Sequence, residues 1–319
     1  MFKRILVPLD GSSLAESALP HAATVAAAFG AEVLLLRVIP VRQRSGAAPM
    51  DIIDRRLCQA EAGAYLDAVA ADRPIRGLSV ETQVCQGQPA EQIVETVSRR
   101  MVDLIVLTTH GMGGCTTFPV SGTAHKVISR SPASVVMVPA TEPGDGWAGG
   151  YRRILVGMDG SRRGEWAVGP AAALARHAAA ELVLVHVVQV PETIEEPASA
   201  ELRAAAEELV RLNSRAAATH LAETQERLQS ADLRVRTRLE ASANVPQTLA
   251  AIAEHEKADL VVLTAHGASL STERPYGGMA IQILHDAKRP VLIAQDSARR
   301  IDAPAKWSAS GRKTTYNHQ

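Results

Sequence analysis

Aromatic side chains are scarce in this 319-residue chain, at 3%. Hydrophobic residues still make up 46%, so any core must be packed with Ala, Val, Leu and Ile. An excess of one charge is also missing: 34 Lys and Arg balance 34 Asp and Glu. That balance argues against a nucleic-acid partner held by a basic surface. No apolar run approaches the ~20 residues of a membrane-spanning helix. The start, MFKRILVPLD, is a strand closed by Asp10 and not a secretory apolar core. A soluble cytoplasmic protein with no membrane partner is therefore expected. Cys58, Cys85 and Cys115 lie far apart without metal-ligand spacing, and an odd count fits a reducing compartment. Neither G-x-x-x-x-G-K-[ST] nor G-x-G-x-x-G occurs. Nor does one constellation of base, nucleophile and orienting group stand out, so no catalytic residue is expected. Slow hydrolysis by a bound water would need no such constellation.

What is present is a repeat. Lys3–Ser12, KRILVPLDGS, returns as Arg152–Ser161, RRILVGMDGS, with Asp10 and Asp159 offset by 149. Val38 and Val187 keep that offset, whereas Gly111 and Gly267 are offset by 156. Repeat 2 thus carries seven additional residues after its second strand, which two helical turns accommodate without disturbing strand register. The length suits two domains. The expected organisation is domain 1 over residues 1–140, a Gly- and Pro-rich linker over 141–150, domain 2 over 151–295, and a flexible tail over 296–319.

Within each repeat, short strands that are apolar throughout alternate with helices. This pattern predicts α/β architecture with a parallel sheet covered on both faces. In repeat 1, Ser13 and Glu16 read as a capping box opening a helix to Phe29, with Pro20 bending it and Gly30 ending it. A loop is expected over residues 40–49. The next helix, residues 50–71, is expected to turn Ile53, Leu57, Ala60 and Ala64 inward. The alternating strand 78–84 suits a sheet edge. Its counterpart helix in repeat 2, residues 199–229, carries Leu202, Ala205, Leu209, Leu212 and Ala216 at steps of three and four. That stripe is expected to pack in the core or against the other repeat.

Two glycine-rich loops follow apolar strands: LIVLTTHGMGGCTTFPVSGT at 104–123 and LVVLTAHGASLSTERPYGG at 260–278. Backbone N–H groups of such a loop and of a helix start attract an anion. Ligands of parallel sheets bind outside the carboxyl ends of the strands. Asp10, Val38 and the Gly111 loop fall at such ends, as do Asp159, Val187 and the Gly267 loop.

With ILVPLDGS and ILVGMDGS, the second strands ending RVIP and HVVQ, and the THG and AHG loops in the same order twice, the chain resembles a tandem universal stress protein of the UspA-like type. The resemblance covers about residues 2–140 and 151–295. It implies two tandem doubly wound, Rossmann-like domains, each a five-stranded mostly parallel sheet. It also implies that the last strands, near Val135–Val138 and Val291–Ile293, pair between the units as an internal pseudo-dimer. A further homodimer stays open.

The family's nucleotide-binding members share a loop of the form glycine, two residues, glycine, nine residues, glycine and Ser or Thr. For those members the resemblance implies ATP, with or without Mg2+, as ligand. Asp10 and Val38, and Asp159 and Val187, match the adenine side. The loop departs from the pattern. Thr108 and Thr264 replace the first glycine; Gly111 and Gly267 keep the second. Ser121-Gly122 inverts the closing pair, and Gly277-Gly278 keeps glycine but lacks the hydroxyl. A hydrogen bond to a charged group contributes roughly 1.5–3 kcal/mol, so a lost hydroxyl weakens binding about tenfold to a hundredfold. Nucleotide binding is expected to be weakened, and the Gly267 loop, with Gly277 in register, is expected to be the better of the two.

Blander roles stand beside these. Asp10 and Asp159 suit capping of the following helix as well as adenine contact. His110 and His266 occupy matching places, and with no second ligand at metal spacing they read as polar loop residues. Cys115 suits a small neutral filler, and Arg274 a solvated surface charge. Two functions remain: an adenine-nucleotide-binding regulator of the stress response read by an unknown protein partner, or an interaction module of the same fold that binds no nucleotide.

Overall fold

The computed structural model describes residues 1–40, 51–72, 75–114, 120–140, 150–191, 199–267 and 275–295. The loop expected over 40–49 beyond Pro40, the linker over 141–149, the tail, Cys115 and Arg274 lie outside the described residues.

The first half runs β1 (Arg4–Leu9), α1 (Ser13–Glu16), α2 (Leu19–Phe29), β2 (Glu32–Pro40), α3 (Ile52–Ala71), β3 (Val80–Gly87), α4 (Pro89–Arg99), β4 (Leu104–Thr108), α5 (Gly122–Arg130) and β5 (Ser134–Val138). The second half repeats it: β6 (Arg153–Met158), a 3-10 turn (Gly164–Ala167), α6 (Val168–Ala178), β7 (Glu181–Gln189), α7 (Ala200–Gln229), β8 (Arg234–Ser242), α8 (Val245–His255), β9 (Leu260–Thr264), α9 (Gly278–Asp286) and β10 (Val291–Ala294). All ten strands form one sheet, in the order β3-β2-β1-β4-β5-β10-β9-β6-β7-β8. Within each half the pairing is parallel; the halves join where β5 and β10 pair antiparallel, Val136 opposite Leu292. The last strands therefore sit at the centre of the sheet, and β3 and β8 form its edges.

Alternation along the strands sends side chains to two cores. Ile5 and Val7 belong to the core that includes residues of α2, α3, α6 and α7, whereas Leu6 belongs to the one that includes residues of α4, α5, α8 and α9. Two buried tyrosines bridge the halves. The Tyr151 hydroxyl meets His21 Nδ1 at 3.0 Å, and the Tyr276 hydroxyl donates to the Ala133 carbonyl. Burial drives both phenols well above their ordinary range and lowers His21 to about 4.

Several local expectations need correction. The first cap is Ser12, whose hydroxyl accepts from Ala15 N–H, and Glu16 instead accepts from the Tyr65 hydroxyl at 2.8 Å. Pro20 does not bend one helix; it lies in the first turn of α2, where its missing N–H costs nothing. Gly30 closes α2 in the left-handed conformation, as expected.

The inward face of α3 is also different. Ile53 is 72% and Leu57 56% exposed, Ala60 and Ala64 are exposed, and Ala62 and Leu66 are buried instead. The stripe on α7 is exposed likewise: Leu202, Leu209 and Leu212 each at 50%, with Ala205 and Ala216. Its buried residues are Ala206, Ala217, Leu221, Thr224 and Leu228. Geometry explains both. Val33 and Leu182 are offset by 149 (182 − 33), Val80 and Val235 by 155 (235 − 80), and Leu104 and Leu260 by 156 (260 − 104). Ala217 and Leu221 match Ala62 and Leu66 at 155, so six of the seven additional residues enter before Ala217. Helix α7 is 30 residues long against 20 for α3. Its first turns extend past the stretch that packs on the sheet, leaving the leucines without a facing layer.

Candidate functional site

Asp10 directly follows strand β1, and its carboxylate ties the surrounding loops together. Oδ1 accepts from Ser12 N–H at 3.0 Å and from the Ser12 hydroxyl at 2.5 Å; Oδ2 accepts from Met112 N–H at 2.5 Å. The first bond is a local Asx turn, and the last reaches across to the glycine loop after β4. A β-carbon at Gly111 would stand 2.0 Å from Asp10 Oδ2. Glycine is required there by the chain's own carboxylate. In the second half Asp159 Oδ1 accepts from Ser161 N–H and hydroxyl at 3.0 and 2.7 Å, and a β-carbon on Gly267 would lie 2.1 Å from Asp159 Oδ2. Neither aspartate caps its helix directly. Ser12 does so in the first half, and the Ser161 hydroxyl accepts from Gly164 N–H in the second.

The other residues of the pattern fall into place around these struts. Thr108 is buried and donates to the His110 carbonyl at 2.6 Å. Thr109 accepts at its carbonyl from Ser121 N–H, 2.8 Å, and at its hydroxyl from Ala140 N–H, 2.9 Å. Buried His110 lies 3.1 Å from the Thr109 hydroxyl, so it serves the loop's own hydrogen bonding. Ser121 caps α5, accepting from Ala124 N–H at 3.3 Å. The loop turns through Gly114, which donates to the Gly111 carbonyl and holds φ of +69°. At the second loop, Gly277 N–H donates to Ala265 O at 2.8 Å, and a β-carbon at Gly277 would come within 3.2 Å of that oxygen. Thr264 ends β9 and Gly278 opens α9; residues 268–274, between Gly267 and Gly277, lie outside the described residues.

A cleft of about 840 Å³ lies at the carboxyl ends of the first half's strands. One end is apolar, formed by Leu9, Leu36, Val38, Pro89 and Ile93, and Asp10 stands between it and the glycine loop, where it accepts from Met112 N–H. The other is formed by Gly111–Gly114 and Ser121–Thr123. Gly113 and Gly122 line this end with nothing within 4 Å of where a β-carbon would be, so the backbone lies open to the cleft. The lining thus combines apolar walls with a helix start and loop N–H groups, which attract an anion. A second cleft of about 500 Å³ separates α8 from α9, and it contains none of the glycine-loop groups. Among the described residues no three His, Cys, Asp or Glu side chains are grouped to hold a metal, and no helix is long and apolar enough to cross a membrane.

Sequence spacing did not reveal a difference beneath the two aspartates. In the first half Arg37 lies 5.6 Å over the Tyr65 ring, and Tyr65 bonds Glu16. In the second, His220 Nε2 lies 3.0 Å from Glu165, with His186 beside it. Burial lowers the His186 ring's proton affinity; Asp159 opposes this and His220 adds to it.

Two fused five-stranded α/β units with ligand-type loops at their strand ends define the class. The universal stress protein family matches residues 1–139 and 150–295, and the chain belongs to that family. A universal stress protein of Methanocaldococcus jannaschii is 30% identical over 141 residues, covering 43% of this chain and 82% of its own length. One from Mycolicibacterium smegmatis is 26% identical over 299 residues, covering 91% of this chain and 96% of its own. Among solved structures, a universal stress protein from Archaeoglobus fulgidus superposes with a TM-score of 0.64 at 17% identity, over 92% of this chain and 96% of that one. That likeness shows the fold.

Proposed function

We propose that the chain is an adenine-nucleotide-binding regulator of the stress response, acting in the cytoplasm and read by a protein partner. The observation that carries this reading is the single cleft joining an apolar end at Val38 to an open glycine end at Gly113 and Gly122. The base lies against Leu36, Val38 and Ile93, and the phosphates meet the loop N–H groups and the Ser121 cap. Asp10 keeps acceptor capacity for the base while it braces the loop, since a carboxylate has about four lone-pair sites. Mg2+, if it accompanies the nucleotide, is held chiefly by phosphate and water. The role in this reading is regulatory, since the sequence offers no constellation of base, nucleophile and orienting group.

Calorimetric titration of the full chain with Mg-ATP tests this. Binding is expected, with Asp10→Ala weakening it about tenfold and Asp159→Ala leaving it unchanged. No heat at millimolar nucleotide would end the nucleotide reading. It would leave the interaction module, which the exposed leucines of α7 favour.

A further inference from the structure

The two ends of the β5–β10 seam are not equivalent. His125 and Lys126, in the second turn of α5, line the first half's cleft. So does His285, which belongs to α9 of the other half. The His125 and His285 rings meet edge to face, centroids 5.5 Å apart and planes at 72°. The pseudo-symmetric positions follow from the offset of 156 between Leu104 and Leu260 (260 − 104). His125 corresponds to Ile281, Lys126 to Gln282, and His285 to Ser129. One side of the seam therefore carries an ammonium and two imidazoles, and the mirror side carries Ile, Gln and Ser.

We infer that the first half's cleft has a polyphosphate subsite completed by the second half, in which Lys126, His125 and His285 take the distal phosphates of a nucleoside di- or triphosphate. This rests on the nucleotide reading above and adds the ligand's phosphate count and its number per chain. Lys126, His125 and His285 thus gather three nitrogen side chains on the lining of one cleft, an arrangement that suits an anionic tail. His125 stands four residues along the helix from Ser121, about 6 Å at 1.5 Å per residue. A monophosphate held at the cap leaves that position empty, whereas a longer tail reaches it. At the three mirror positions, Ile281, Gln282 and Ser129, no side chain carries a positive charge.

The experiment is calorimetric titration of the full-length protein with ATP and with AMP, on the parent, His285→Ala, Lys126→Ala and the mirror variant Ser129→Ala. One ATP per chain is expected. His285→Ala and Lys126→Ala should each weaken ATP about tenfold while AMP affinity stays within twofold, and Ser129→Ala should change neither. His285→Gln, which retains an N–H donor, should recover part of the ATP affinity, and circular dichroism checks that each variant folds. Equal losses for ATP and AMP, no loss for either, or two equivalent ATP sites would overturn the subsite and leave the nucleotide reading standing. Failure of the parent to bind either nucleotide would overturn both.

Discussion

Replacing Gly111 with Ala asks whether the glycine of the first loop serves the ligand or the chain. Gly111 does not sit in the left-handed region, so alanine brings no backbone strain. Its β-carbon, however, would fall 2.0 Å from Asp10 Oδ2. The carboxylate must swing away, and three hydrogen bonds hold it: two from Ser12 and one from Met112. Bonds to a charged group contribute roughly 1.5–3 kcal/mol each. Asp10 is half-buried, so water recovers part of that. The expected cost of Gly111→Ala is about 1–3 kcal/mol, the range of an overpacked site. Asp10→Ala removes the same bonds and should cost a similar amount. The double variant decides the mechanism. With the carboxylate gone, the new methyl group has room, and the two costs should fall short of additivity by about 1 kcal/mol or more. Urea unfolding at neutral pH, followed by far-ultraviolet circular dichroism, measures all four corners of the cycle. A neutral Gly111→Ala, or costs that add within ~0.5 kcal/mol, would refute the strut. Gly267 and Asp159, with 2.1 Å between the would-be methyl and Oδ2, should behave alike.

Stability should also depend on pH through His21. Its folded value, about 4, lies below the unfolded value of 6.5, so the unfolded chain binds the proton first on acidification. The contribution is fully present above pH 6.5 and is lost as pH falls toward 4, roughly 3 kcal/mol in all; His21→Leu should flatten that part of a stability–pH profile. Tyr276→Phe leaves the Ala133 carbonyl without its buried donor and should cost about 1–3 kcal/mol in denaturant unfolding. Leu221→Ala opens the core under α7 and should cost about 2–5 kcal/mol. Leu209→Glu, on the exposed stripe of the same helix, should stay within about 0.5 kcal/mol in the same assay.

The strands, the edge position of the third and the placing of Asp10, Val38 and the Gly111 loop at strand ends were legible, because runs such as ILVPL and LIVLT admit one environment only. Helix faces were not. In α3 and α7 alanine occurs on every side, so both the buried set Ala62–Leu66 and the exposed set Ile53–Leu57 have helical spacing. Only the reach of the sheet decides between them, and it is not a local property. At the glycine loops, motif spacing ranks the second loop first on the strength of Gly277, and residues 268–274 of that loop lie outside the described residues. His285 lies 160 residues from His125 in sequence (285 − 125), and no spacing rule connects them; the antiparallel pairing of β5 with β10 does.

That pairing has an evolutionary consequence. A dimer assembled from identical copies duplicates every substitution, so a change that improves one cleft is imposed on the other. Here the two copies are joined in one polypeptide, and each position across the seam varies independently. His125 facing His285, while Ile281 takes the mirror place, is an arrangement that no pair of identical chains related by a two-fold axis can adopt. Fusion thus lets the two halves diverge at any position across the seam while both keep their part in the shared sheet.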